Sequence, residues 1–238
     1  LSRMRDIRTR PLSVSADWNK SLEEYKVVSV YRRTVNLEDT DGRRCTLITE
    51  QEDFSSRTAL VESLPVAEEG SFVSVAAEDA KIGYNPSLQA AGICKKWRPL
   101  ILEWQSFLAD DDLAVLADVW DGVNWRPLVG LGPGLTPAGD DFIYGRLAAH
   151  MRLFEDDDSV VSDFRRDYRR GSTSKLAEGF YDDLLARKIW KRGRALLDAL
   201  AANDAQRVLD AVKCLIDWGH SSGRAWLAGF AFGAGEVL

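Results

Sequence analysis

The chain has 238 residues, 45% hydrophobic and 29% charged, with a formal net charge of −6. That is enough apolar material for one large domain or two small ones without a disulfide or metal staple. The negative balance argues against nonspecific nucleic-acid binding, with basic pairs only locally at Arg165-Arg166 and Arg169-Arg170. Three distant cysteines without a CxxC pair give neither a disulfide framework nor a zinc site, and fit a reducing cytoplasm. Two histidines, His150 and His220, exclude a centre built on three or more of them. No secretory segment opens the sequence and no apolar run is long enough to span a bilayer, so the expected location is cytoplasmic, away from membranes. Met4 lies close behind Leu1, so the natural start is expected to differ from the one shown. The eight tryptophans are scattered, as for core and interface use.

The first part of the chain reads as β-rich. Residues 25–31 and 34–37 are strand-like, Asp39-Thr40-Asp41-Gly42 is a turn, and residues 45–49 return, so 25–49 is expected to form a hairpin. Residues 71–75 and 80–84 add two short strands, and the pattern suggests a small barrel or sandwich. Composition shifts near Trp97, where apolar periods lengthen. Helices are expected over 102–119, 137–154, 204–218 and 222–238, with one broken helix or two over 173–201. Glu155-Asp156-Asp157-Asp158 is an acidic, solvated loop. The expected class is therefore α+β: a β-rich N-terminal domain over 1–96, then an all-helical C-terminal domain over 97–238.

One run dominates the helical part, Gly130-Leu131-Gly132-Pro133-Gly134-Leu135-Thr136-Pro137-Ala138-Gly139-Asp140-Asp141. Thr136 is a good N-cap, and Pro137 suits the first helical position because it has no N–H to leave unpaired. A glycine loop entering a helix presents free N–H groups and the positive dipole end, which is anion-binding equipment. The same run also reads as a tight turn with a capped helix. Asp140 is a candidate ligand for Mg²⁺, a possible cofactor, through one carboxylate. Adjacent helical residues point about 100° apart, so one of Asp140 and Asp141 is expected to be structural.

A second loop, Gly219-His220-Ser221-Ser222-Gly223, opens the last helix with the same logic. Gly139 is followed by Gly145 as Gly223 is by Gly229, and Thr136 and His220 hold matching positions ahead of them. Glycine inside a helix costs about 1 kcal/mol relative to alanine. Two helices accepting that cost suggest packing through their glycine faces, with both N-termini at one pocket. His220 reads equally as a donor to an anion, a proton carrier near neutrality, or a cap on loop backbone. His150 is expected to be structural. Ser172-Thr173-Ser174, with Arg169 and Arg170, would suit a third wall, and Asn36 is a weaker candidate. There is no GxSxG elbow, HExxH, Walker A or GxGxxG in a βαβ setting, so ATP and dinucleotides are unsupported.

The run Gly130–Phe142, with Gly145 beyond it, resembles the signature of the AllH-type family, which is linked with anaerobic allantoin breakdown as a subunit of oxamate carbamoyltransferase. Gly219–Gly223 followed by Leu227 and Gly229 resembles its second signature, and Ser172-Thr173-Ser174 a weaker third. Thr34-Val35-Asn36-Leu37 is similar to an early strand of the family, so the resemblance runs over roughly 25–235. It implies partner protein subunits and movement of a carbamoyl group between phosphate and oxamate. Phosphate, carbamoyl phosphate and oxamate are all small anions. The expected binding residues are Gly132, Gly134, Leu135, Thr136, Gly139, Asp140, Asp141, His220, Ser221, Ser222 and Gly223, with Asp140 and His220 as catalytic candidates. The alternative is a non-catalytic scaffold or regulatory subunit whose glycines serve helix packing alone.

Overall fold

A computed structural model describes residues 8–156 and 158–238, so Met4 and Asp157 of the acidic run lie outside the described residues. The chain divides into two compact units, Leu1–Pro86 and Ser87–Leu238.

The first unit is one curled half-barrel sheet of eight strands. In chain order these are β1 (Arg8–Thr9), β2 (Ser13–Ser15), β3 (Glu24–Val30), β4 (Thr34–Glu38), β5 (Arg44–Ile48), β6 (Thr58–Leu60), β7 (Phe72–Val75) and β8 (Lys81–Tyr84). Their order across the sheet is β1-β7-β3-β4-β5-β6-β2-β8. The expected hairpin is the antiparallel run β3-β4-β5. It is closed at one end by Asp39, whose carboxylate accepts the N–H groups of Asp41 and Arg43. One face buries Val14, Tyr25, Val27, Val35, Leu37, Leu47, Val73 and Val75, as period-two alternation requires of a half-buried sheet. Asn36 serves this sheet: its amide donates to Ser29 and its carbonyl accepts from Thr46. The strands not anticipated, β1, β2 and β6, have two or three residues each, too short to show alternation.

The second unit is helical: α1 (Arg98–Glu103), α2 (Ala114–Val119), α3 (Ala138–Leu153), α4 (Ser159–Asp167), α5 (Lys175–Leu185), α6 (Lys191–Ala202), α7 (Ala205–Ile216) and α8 (Ser222–Gly235). The single helix expected over 102–119 is instead α1, a 3₁₀ segment at Trp104–Ala109, a 3₁₀ turn at Asp111–Leu113, and α2. The break comes at Asp110, which is extended (φ −71°, ψ 138°), and its acidic neighbours favour local turns over helix continuation. The long stretch over 173–201 resolves into two helices, α5 and α6, and α4 is an addition to the expected set.

Helices α3 and α8 form the centre of this unit and are buried on nearly every face. They run parallel: Thr136 meets Ser222 at one end, and His150 meets Glu236 at the other. Contact between them is backbone on backbone. A Cβ added to Gly145 would fall well under 3.0 Å from the Trp226 carbonyl oxygen, and one on Gly229 equally close to that of Phe142. Each glycine thus receives the carbonyl of the residue three before its counterpart, which makes the contact reciprocal. The glycine-face packing expected from the spacing is therefore present.

The C-terminal ends are joined by polar groups. His150 is 3% exposed, with Nδ1 against Asp158 and Nε2 2.8 Å from Glu236. Arg146 adds a 2.8 Å ion pair to Glu236 and lies over the Trp120 ring. Burial alone would raise the Glu236 carboxyl, but hydrogen bonds and charge from His150 and Arg146 outweigh it and hold the group below its ordinary value. A lowered folded-state value means stability present above the unfolded value, about 4.3, and lost as the pH falls through the folded one. Glu236→Gln is therefore expected to destabilise the protein by about 1–2 kcal/mol at neutral pH. The difference should close in acid, which unfolding curves measured across pH would show.

Candidate functional site

The glycine loop enters α3 by alternating conformations. Gly130, Gly132 and Gly134 have φ of +71°, +106° and +104°, a region in which a side chain at each position would be strained. The helix begins at Ala138, with Pro137 in the cap position and no side-chain cap bond. Thr136 therefore does not act as the N-cap, and Pro137 stands one place earlier than expected. The Thr136 hydroxyl reaches across to α8 instead, 3.2 Å from that of Ser222. The first turn is held from within: the Gly139 N–H donates to Leu131 and those of Asp140 and Asp141 to Pro137. At α8, the Gly223 N–H likewise turns back to Trp218. These amides are engaged by the fold.

The two adjacent carboxylates have separate surroundings. Asp140 accepts the Tyr181 hydroxyl at 2.7 Å, the Thr173 hydroxyl at 2.6 Å and the Gly130 N–H at 3.1 Å. It ties the glycine loop and the start of α5 to α3. Burial is the largest influence on its carboxyl and leaves it above the ordinary value despite these donors. The oxygens that an Mg²⁺ ion would need are occupied by protein donors, and the described residues contain no group of three His, Cys, Asp or Glu arranged for a metal.

Asp141 is the group at the junction of the two helix ends. It is 2% exposed, and its Oδ2 has no hydrogen-bond partner. Burial pushes its carboxyl well above the usual range, and Asp140 adds to that; the Ser222 and Thr136 hydroxyls act in the opposite direction. A carboxyl whose folded-state value is raised works against folding as the pH climbs above about 3.9, where the unfolded chain ionises. Asp141→Asn is thus expected to raise the melting temperature at neutral pH, with the gain shrinking to nothing as the pH falls towards about 4. Thermal scans at several pH values test this, and a variant less stable than the parent at neutral pH would contradict it.

The other expected site residues lie around this junction in different ways. Ser174 caps α5 and also donates to the Leu135 carbonyl, while Leu135 itself is 41% exposed. Thr173 supports Asp140 rather than lining the junction. Arg169 and Arg170 bond to main chain and to Asp182. His220 is turned outwards, with an 85% exposed side chain and Nε2 3.1 Å from Asp112. Arg224 bonds to Asp110 and Asp112 beside it. The His220 position echoes Thr136 in sequence, yet the hydroxyl that meets Thr136 is Ser222, two residues further on. Ser221 occupies the cap position of α8 without a side-chain cap bond, and the position of Gly223 requires glycine because a Cβ would strike the Leu215 carbonyl.

Residues 128–234 match the family described as oxamate carbamoyltransferase subunit AllH. The match starts as the chain enters the glycine loop and ends in the last turn of α8, so it spans the helices that form the junction. It supports an AllH-type family assignment. No curated protein and no solved structure matches the chain. Among the described residues, no helix is long and apolar enough to cross a membrane.

Proposed function

We propose that this chain, an AllH-type protein by the match over its helical unit, works as a subunit of a carbamoyltransferase-like enzyme and binds a small anion where α3 and α8 begin. The observation that carries the reading is Asp141. A buried carboxyl with a free oxygen, flanked by two hydroxyls at two helix N-termini, has no use in packing. Each helix end carries about half a positive charge, so two set side by side attract a negative group before them. Carbamoyl transfer between phosphate and oxamate needs small anions held and oriented, with no protein nucleophile required. Thr136, Asp141 and Ser222 form the centre of the proposed site. The Gly132–Gly139 loop walls one side, and Ser221, Gly223 and the His220 backbone the other. Asp140 positions the loop, and partner subunits complete the reaction site.

A scaffold or regulatory role has its own support in the glycines, since those at 139, 145, 223 and 229 each meet a carbonyl oxygen that a Cβ would strike. Packing accounts for the glycines and for the hydroxyl pair that joins the helix ends, but it leaves the unpartnered oxygen of Asp141 without a purpose, so the binding reading is preferred. Calorimetric titration of the full chain with carbamoyl phosphate separates the two. Saturable binding, weakened about tenfold or more in a folded Thr136→Ala variant, is expected. Absence of heat with and without partner subunits would leave the scaffold reading.

A further inference from the structure

An acid at an anion site presents a paradox, because a charged carboxylate would repel the ligand or take its place. We propose that Asp141 resolves it by keeping its proton in the folded protein and donating through its free oxygen to an acceptor oxygen of the bound anion. This rests on the reading that the joined ends of α3 and α8 bind a small anion.

The geometry favours a neutral acid at Asp141 far more than at Asp140. Asp140 has three donors on its two oxygens, from Tyr181, Thr173 and the Gly130 amide, the pattern that stabilises a carboxylate. Asp141 has Thr136 and Ser222 beside it, and those hydroxyls are also 3.2 Å from each other. Its second oxygen is buried and unpartnered. The titratable groups near it are Asp140 from α3, whose charge acts against a second one, and Tyr181 from α5, which burial and Asp140 keep neutral. The two helix ends work in the other direction, but without a donor on Oδ2 they do not replace the lost water. A protonated carboxyl left without an acceptor is costly too, and an incoming anion removes that cost. The consequence is a site that recognises an oxygen-bearing anion with one acid and two hydroxyls. It admits ligands such as oxamate or carbamoyl phosphate without a cationic side chain at its centre.

The test uses the full chain with oxamate, whose carboxylate stays ionised across the working range. Infrared difference spectra, wild type minus Asp141→Asn at neutral pH, are expected to show a protonated-carboxyl band belonging to Asp141. Asn keeps a donor in the same place, so Asp141→Asn should bind oxamate within about threefold of wild type, while Asp141→Ala should be about tenfold weaker or worse. If the band is absent while oxamate still binds, the donor role is overturned and the anion site stands. Equal loss in the Asn and Ala variants overturns the donor role in the same way. A band without oxamate binding would overturn the anion site and the donor role together.

Discussion

Replacing Gly145 by alanine is expected to destabilise the helical unit by about 3 kcal/mol or more, although alanine is the better helix former by about 1 kcal/mol. The new methyl would lie well under 3.0 Å from the Trp226 carbonyl oxygen, with the Phe230 N–H also inside that limit. Neither is the end of a flexible side chain, so α3 and α8 must separate. Both helices are buried along their length, and separation would open the core that holds Phe142, Trp226 and Phe230. Gly229→Ala should cost as much, because its methyl would strike the Phe142 carbonyl from the opposite side of the same contact. Gly92 has nothing within 4 Å of an added Cβ and serves as the control; alanine there should change stability by no more than about 0.5 kcal/mol. Urea unfolding of the three variants decides the matter, and a Gly145→Ala protein as stable as wild type would mean that the helices are not in backbone contact.

Asp140→Ala is expected to cost about 3 kcal/mol through a different mechanism. Removing the carboxylate leaves the Tyr181 hydroxyl only its long 3.4 Å bond to the Asp140 backbone carbonyl, and that hydroxyl is buried beyond the reach of water and packed against Phe164 and Tyr168. Thr173 and the Gly130 amide lose their acceptor as well, but water can replace it in part because both are only partly buried. Asp140→Asn should lose roughly half as much, since one carbonyl oxygen can still accept from Tyr181 while its amide faces the other two donors. Tyr181→Phe in the Asp140→Ala background should recover part of the loss by removing the poorly paired hydroxyl. Thermal unfolding of the single and double variants measures this, and additive losses would show that the two groups are not partners.

Much of this organisation is legible in the residues. Alternation in 25–49 marks three strands of the sheet, and apolar periods mark α7 and α8 within a few residues. The repeated glycine spacing foretells that two helices pack on their glycine faces, because a glycine in a buried helix is hard to explain otherwise. Local pattern has less to say where the outcome depends on what lies across the fold. Thr136 looks like a cap because hydroxyls before a proline and an apolar run are caps. Its partner Ser222 lies on another helix, and nothing in the loop's own spacing points to it. Asp140 and Asp141 are equivalent as letters. Their division into a loop anchor and a buried, half-unpartnered acid follows from Tyr181 and Thr173 arriving on one side and α8 on the other. His220 fits the echo in sequence position, two residues ahead of its helix as Thr136 is, but its ring turns out to Asp112. The expected helix over 102–119 fails because an apolar period continues through Asp110-Asp111-Asp112, where the backbone turns.

A ligand held jointly by the ends of α3 and α8 makes one direct demand: the hydroxyls contributed by the two helices must act on it together. A double-mutant cycle of Thr136→Ala and Ser222→Ala on carbamoyl phosphate affinity measures this. Each folded single variant should weaken binding about tenfold, and the double variant should fall short of the product of the two losses by a coupling of about 0.5 kcal/mol or more. Wild-type affinity in Ser222→Ala would show that α8 has no part in binding and contradict a site shared between the two helices.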